Sequence, residues 1–505
     1  MILFDKSKNF FIVVIMLLIS NLLLSQENNI LEKVKELNTK HKYSKSLNLL
    51  EIYSESHRDI NTLWLYGHTL HLAKKYKSSQ QKYKQAIELF PNNKILKLDF
   101  ANKLTEAGKL DFAIKMLKPF TKIKDENQFF ATKSIAKIYF WKGEYDIASN
   151  YIEKAIKLND KDVEVLEFKE LIDLSRMNSV GLNIQYSNDN QPLSVFSTEL
   201  EGAYYINDFA SIGLKLNTPV YNLDKTYFGV GLKAFNTLTF HKLKAKSHIE
   251  IGIDKLPNNK FIFNGLILLK KHIYKHLGVE LNTSYLPYLL TNSSISKDIM
   301  ELKYGLAFTW NNPNGFVART ALDINQFPSE KNLYYTASIW ALSPKIKLSI
   351  FDFRVGYGFS YSDSKENTYT SINSLENVIA TNWDNDQLHI DGNYEPYFTP
   401  SKIMINSIIG SIDVKPISKL KINLTGKFGF YSTLNTPYLK LKADTIAIEY
   451  FIDRQFAKEQ YFPFEINTSV GYNVLSNLLI KAEYHYLSTN YYNNHLVGLK
   501  AKYLF

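Results

Sequence analysis

The sequence predicts a multidomain α and β protein, an N-terminal α-solenoid followed by a C-terminal antiparallel transmembrane β-barrel of about 16 strands. Three observations carry this expectation. Residues 27–176 repeat a helical pattern with a period of about 34 residues, and near Met177 the apolar period drops to two. The chain ends on an alternating segment, His495-Leu-Val-Gly-Leu-Lys-Ala-Lys-Tyr-Leu-Phe505, that stops on an aromatic. Beyond the first 25 residues no apolar stretch approaches the roughly 20 needed for a membrane helix, so insertion has to use strands.

Residues 1–25 read as a signal peptide. Lys6 and Lys8 supply the positive start, Phe10–Leu24 the apolar run, and Ser25-Gln26 the cleavage point. Cys is absent, so an exported chain of this length gains stability from packing or closed sheets rather than disulfides. The formal charge of +11 is spread without a basic run, which argues against a nucleic-acid partner. The 34 Tyr and 32 Phe concentrate in the C-terminal two-thirds, as aromatic girdles at two membrane interfaces require.

Within 27–176, Gly67, Ala101 and Ala136 recur in step, as do Ser79, Ala113 and Ala148. Small residues at these points let paired antiparallel helices approach closely. Gly108 and Gly143 permit tight turns between helices, and Pro91 marks the start of a new pair. The segments Glu106-Ala-Gly-Lys-Leu-Asp-Phe-Ala113 and Trp141-Lys-Gly-Glu-Tyr-Asp-Ile-Ala148 resemble the tetratricopeptide repeat. Four units are expected, at about 27–59, 60–93, 94–128 and 129–162. A capping helix over Asp162–Arg176 would follow, with Val163, Leu166, Phe168, Leu171, Ile172 and Leu174 as its apolar set. His68 and His71 lie one turn apart, but no third ligand is near in sequence, so no metal is expected.

The barrel is expected over 177–505, from Val180–Tyr186 through Ala210–Leu216 and on to Leu478–Leu487 and Leu496–Phe505. In the last strand Val497, Leu499, Ala501, Tyr503 and Phe505 share one face, and Gly498, Lys500 and Lys502 the other. The terminal Phe505 with Tyr503 resembles the assembly signal of bacterial outer-membrane barrels. A strand over 387–395 is expected to line the lumen with Gln387, His389, Asp391, Asn393 and Glu395. Ser371–Trp383 reads as helical, and Lys440–Glu459 is charged and long, without an assigned place. No Gly-x-Ser-x-Gly, metalloprotease helix or phosphate loop occurs, so neither catalysis nor a cofactor is expected.

Tyr394-Glu-Pro-Tyr-Phe-Thr-Pro400, followed by an alternating strand, resembles an element in the C-terminal barrel of the cellulose-export outer-membrane family. That family and the poly-N-acetylglucosamine export porins share this order of signal peptide, periplasmic repeats and terminal barrel. The resemblance implies a Gram-negative outer-membrane porin for polysaccharide export. Its periplasmic repeats would recruit periplasmic or inner-membrane protein partners, and its barrel would contact outer-membrane lipid. Here Phe398-Thr399 replaces the family's Trp-Ser and the repeats are fewer, so no polymer is named. The alternative resemblance is to YaiO-type barrels, which implies an anchor whose repeats dock a protein and whose barrel transports nothing.

Overall fold

The computed structural model describes residues 30–505 apart from 192, 275, 313–314, 383–389, 445–448 and 491. The expected signal peptide lies outside the described residues. The chain divides into two compact units, Met1–Asp173 and Leu174–Phe505.

The first unit is an array of helix pairs. Residues 30–39 pair with Tyr43–Ser56, Ile60–Leu72 with Tyr76–Leu89, and Lys94–Glu106 with Leu110–Leu117. A 3-10 turn at Lys118–Lys122 precedes the fourth pair, Glu126–Trp141 and Tyr145–Leu158. The fourth pair thus starts slightly ahead of the expected 129.

Asp59, Asn93 and Asp125 cap the first helices of pairs two to four, their side chains accepting from backbone N–H groups at 2.8–3.1 Å. The second helices lack such caps because each follows directly on a tight turn. Those turns repeat one hydrogen-bond pattern, the N–H of Lys42, Lys75, Lys109 and Glu144 reaching back to the carbonyls of Leu37, Leu70, Leu104 and Tyr139. The residue before each of these donors has positive φ: His41 at 57°, Lys74 at 59°, Gly108 at 69° and Gly143 at 77°. Only the last two are glycine, so the first two turns carry a steric cost that glycine avoids. Replacing Lys74 by Gly should therefore stabilise the repeats by about 0.5–1 kcal/mol, the remainder being lost to unfolded-state entropy. A higher urea midpoint at unchanged slope is the expected reading.

Leu63, Tyr83, Leu96, Leu117 and Ile135 are fully buried in one core, and Ile152, Val165 and Ile172 in a second. The capping helix Val163–Ser175 differs from expectation in the face it buries. Val165 and Ile172 are enclosed while Val163, Leu166 and Leu171 stay exposed, because the helix is rotated to seat Phe168 against Phe140.

The second unit is a sheet closed on itself. Sixteen strands form the ring, from Ser179–Asp189 round to Asn493–Leu504, and these two pair antiparallel from Ser179↔Leu504 to Asp189↔Asn494. Three further strands extend the wall: Thr226–Phe228, Ile346–Leu348 and Glu449–Tyr461. An even count places both barrel termini at one end. Turns at that end are short, two residues at Asp208-Phe209, Ser418-Lys419 and Ser476-Asn477. The opposite end carries the long connections 288–299, 365–402 and 430–463.

The uncharacterised stretch 440–459 is part of a long hairpin. Leu420–Asp444 stops pairing with Phe464–Leu475 at Phe428 and with Ile403–Ile417 at Thr433, and the pairs from Leu434↔Glu459 to Asp444↔Glu449 continue as a two-stranded arm. The expected helix near 371–383 is present as Leu375–Asn382, at the same end.

Candidate functional site

Alternation along most ring strands separates an apolar outside from a polar inside, Phe261–Tyr274 being an exception that turns Ile262, Leu266 and Leu268 inward beside Asp254, Glu250 and His248. On the last strand Val497, Leu499, Tyr503 and Phe505 are exposed outward, while Lys500 faces Lys481 and Asn183 across the inner wall. Aromatics mark both ends of the outer face: Tyr204, Trp310, Phe351 and Tyr503 at the terminal end, and Tyr186, Phe196, Phe261 and Tyr285 at the other.

The inner wall is laced with ion pairs. Lys215 pairs with Glu250 and lies 3.6 Å from Glu201, and His248 is 2.7 Å from Glu250. Glu280 holds both Lys270 (3.0 Å) and Arg319 (3.1 Å). Lys427 binds Glu465 at 2.7 Å, and Glu483 takes Lys481 at 2.6 Å and Lys500 at 2.7 Å. Such charges would be prohibitively costly against lipid, so this face belongs to water. A ring of this strand number encloses enough water for a channel.

The mouth opposite the termini is crossed by its own connections. Segment 288–299 leaves the seventh ring strand and reaches inward to the first three, where Ile295 is buried with Leu193 and Tyr221. Asn292 donates to the Gln191 carbonyl from the same segment. A second insertion meets it: the Thr291 hydroxyl donates to the Pro396 carbonyl at 2.7 Å, and Lys297 pairs with Glu395 at 2.5 Å. Tyr397 stacks on Phe327 with centroids 3.5 Å apart, and the Phe398 N–H donates to the Tyr288 hydroxyl at 3.3 Å. The Tyr394–Pro400 element is thus a buried anchor that fixes one insertion over the mouth.

The expected lumen strand over 387–395 is corrected by this placement. Gln387 and His389 lie outside the described residues. Asp391, Asn393 and Glu395 belong to the insertion, where Gly392–Tyr394 pairs with Tyr369–Ser371 in a separate two-stranded sheet. Their alternation is real, but the neighbouring wall position is filled by Ile403–Ile417, which pairs directly with Phe351–Ser364. The strand that sequence reading missed is Ser194–Asn207, which brings Glu199 and Glu201 to the inner wall. Its alternation was legible in Phe196, Leu200 and Tyr204, but Thr198 and Gly202 dilute the apolar face.

In the repeats, Ala101, Ala113, Ala136 and Ala148 are fully buried at the helix crossings. A Cβ on Gly67 would meet the Tyr83 ring at 2.8 Å, so glycine is what admits that ring. The Ser79 hydroxyl donates to the Gly67 carbonyl at 2.7 Å across the same crossing. Asp99, unnoticed in the sequence, accepts from the Trp64 indole at 2.6 Å and the Tyr83 hydroxyl at 2.5 Å. Burial and the Asp99 carboxylate hold the Tyr83 hydroxyl far above the usual phenol range. His71 sits 2.8 Å from Glu106, and burial lowers its pKa, keeping the ring neutral at pH 7. Among the described residues no group of three or more His, Cys, Asp or Glu suits a metal.

No family model matches the chain, and no curated protein matches it. Among solved structures, a bacterial polysaccharide outer membrane secretin is similar at 7% identity and a TM-score of 0.45. The match covers 65% of this chain and 99% of that one. A MamA double mutant from RS-1 is similar at 12% identity over 29% of this chain and 82% of that one, with a TM-score of 0.26. A tetratricopeptide repeat protein from Parabacteroides merdae shows 16% identity over 30% of this chain and 59% of that one, with a TM-score of 0.27.

Proposed function

We propose that this protein is an outer-membrane conduit for a polysaccharide, with repeats in the periplasm that recruit protein partners. The observation that carries the reading is the closed sixteen-strand wall with an apolar outside and an ion-paired, hydroxyl-rich inside. A polar polymer slides along such a surface by exchanging hydrogen bonds, without a catalytic group or cofactor. An open wall stores no energy, so the driving force comes from synthesis or extrusion upstream. The repeats suit docking because a helical array presents a continuous concave surface to a partner.

The packed segments over one mouth favour a second reading, an anchor whose lumen is closed and whose repeats alone do the work. Planar bilayers separate the two. The full-length protein should show stable single-channel conductance, and deleting 289–298 should raise it severalfold while heat-modifiable migration on gels persists. Correctly inserted protein that stays silent with and without that segment would favour the anchor.

A further inference from the structure

Charge is not evenly distributed inside the wall. Around much of the ring cations and carboxylates balance, as where Lys215 lies between Glu201 and Glu250, or where Lys270 and Arg319 share Glu280 beside His272 and Gly278. On six adjacent strands at the terminal end the balance fails. Arg354, Lys421, Lys481, Lys500 and Lys502 all occupy inward positions there, alternating with outward Val355, Ile422, Ile480, Leu499 and Tyr503. Lys345 reaches in from the adjoining turn.

Among the described residues only Asp352, Asp413 and Glu483 pair with these six cations, and all three are already engaged. Lys345 holds Asp352 at 3.0 Å and Asp413 at 2.8 Å, and Glu483 is shared by Lys481 and Lys500. Lys421 and Lys502 have no carboxylate within ion-pair distance among the described residues. The Nε of Arg354 is buried with no hydrogen-bond acceptor. Between the strands lies a recess of about 530 Å³ lined by Lys345, Lys421 and Lys481 together with Asn423, Ser469 and Asn473.

We infer that this arc is the capture site for a polyanion, specifically a carboxylate-bearing polysaccharide entering from the terminal end. The inference rests on the conduit reading and deepens it by naming the charge of the cargo. Two features select a chain over a single ion. Six strands at about 4.8 Å spacing spread the donors over roughly 24 Å, which one phosphate cannot span. Several weak lysine contacts on one chain add as linked binding events, while each alone exchanges fast enough to let the chain advance. Lipid headgroups are excluded as the natural occupant because these side chains point inward, with the hydrophobic residues between them facing out. The other end of the lumen sets Asp254 and Glu301 near its mouth, neither in an ion pair among the described residues, which favours release after passage.

The test uses the full-length protein in planar bilayers, with oligogalacturonate and neutral dextran oligomers of matched length added from each side in turn. The expected result is anion selectivity, with block by oligogalacturonate at least tenfold below the concentration needed for dextran, and from one side only. Replacing Lys421, Lys481 and Lys502 together by Gln should abolish that preference while heat-modifiable migration is unchanged, and salt near 1 M should weaken it in the native protein. Equal block by both oligomers in a conducting channel would overturn the polyanion assignment and leave the conduit standing. A preference that survives the triple replacement would also overturn the arc. Absence of any conductance would remove both.

Discussion

A chain truncated before Asn493 is expected to lose the barrel altogether. The strand Asn493–Leu504 bonds both Ser179–Asp189 and Leu478–Ser488, so its removal exposes two strand edges at once. Inside lipid each unsatisfied backbone group costs several kcal/mol, and an open edge has no water to turn to. Heat-modifiable migration should vanish and the protein should be degraded before accumulating. Removing Phe505 alone is a milder lesion. It deletes the reciprocal pair in which the Phe505 N–H donates to the Asn178 carbonyl and the Asn178 N–H to the Phe505 carbonyl, both at 3.0 Å. Assembly should slow rather than stop. Persistence of a heat-modifiable species in the longer truncation would show that closure does not depend on this strand.

Replacing Tyr83 by Ala should bring the repeats to the edge of unfolding. The ring is fully buried, fills the space that Gly67 leaves, and stacks on Phe100 with centroids 5.1 Å apart. Emptying a site of this size costs about 3–5 kcal/mol, a large share of the roughly 5–15 kcal/mol that holds a domain together. Tyr83→Phe keeps the packing and loses only the hydroxyl bond to the Asp99 carboxylate, for about 1.5–3 kcal/mol. The two variants can be compared by urea unfolding of the repeat unit followed by circular dichroism. A Tyr83→Ala loss no larger than that of Tyr83→Phe would mean the ring is not what fills the crossing.

The architecture was legible because two periods dominate the chain. Helical spacing placed Gly67, Ala101, Ala113, Ala136 and Ala148 at the crossings, since only small residues satisfy that geometry. Period two located most of the ring strands and the facing of Lys500 and Lys502. Counting strands reached sixteen through two errors that cancelled: 387–394 was included and Ser194–Asn207 was passed over. Alternation reports that a segment is extended with two unlike faces. It does not report which sheet the segment joins, and Gly392–Tyr394 joins a small one over the mouth. The ion-paired wall was illegible for a related reason. Glu280 meets Arg319 across an intervening strand, a contact set by ring register and not by any spacing along the chain.

The segment that carries Ile295 has a mechanical meaning. A hollow cylinder of strands resists stretching along its hydrogen bonds but flattens easily into an oval, since each hinge between neighbours need turn only slightly. Segment 288–299 is a chord tied at both ends, by its own strands on one side and by Leu193, Tyr221 and the Gln191 carbonyl on the other. Flattening along that chord would have to pull Ile295 out of its apolar seat. The end opposite the termini is thereby braced into a fixed outline, while the terminal end shows no such tie among the described residues and keeps its freedom to deform. Aperture at the braced end is then set by the length of that tie together with the Tyr394–Pro400 insertion that meets it, and not by the number of staves alone.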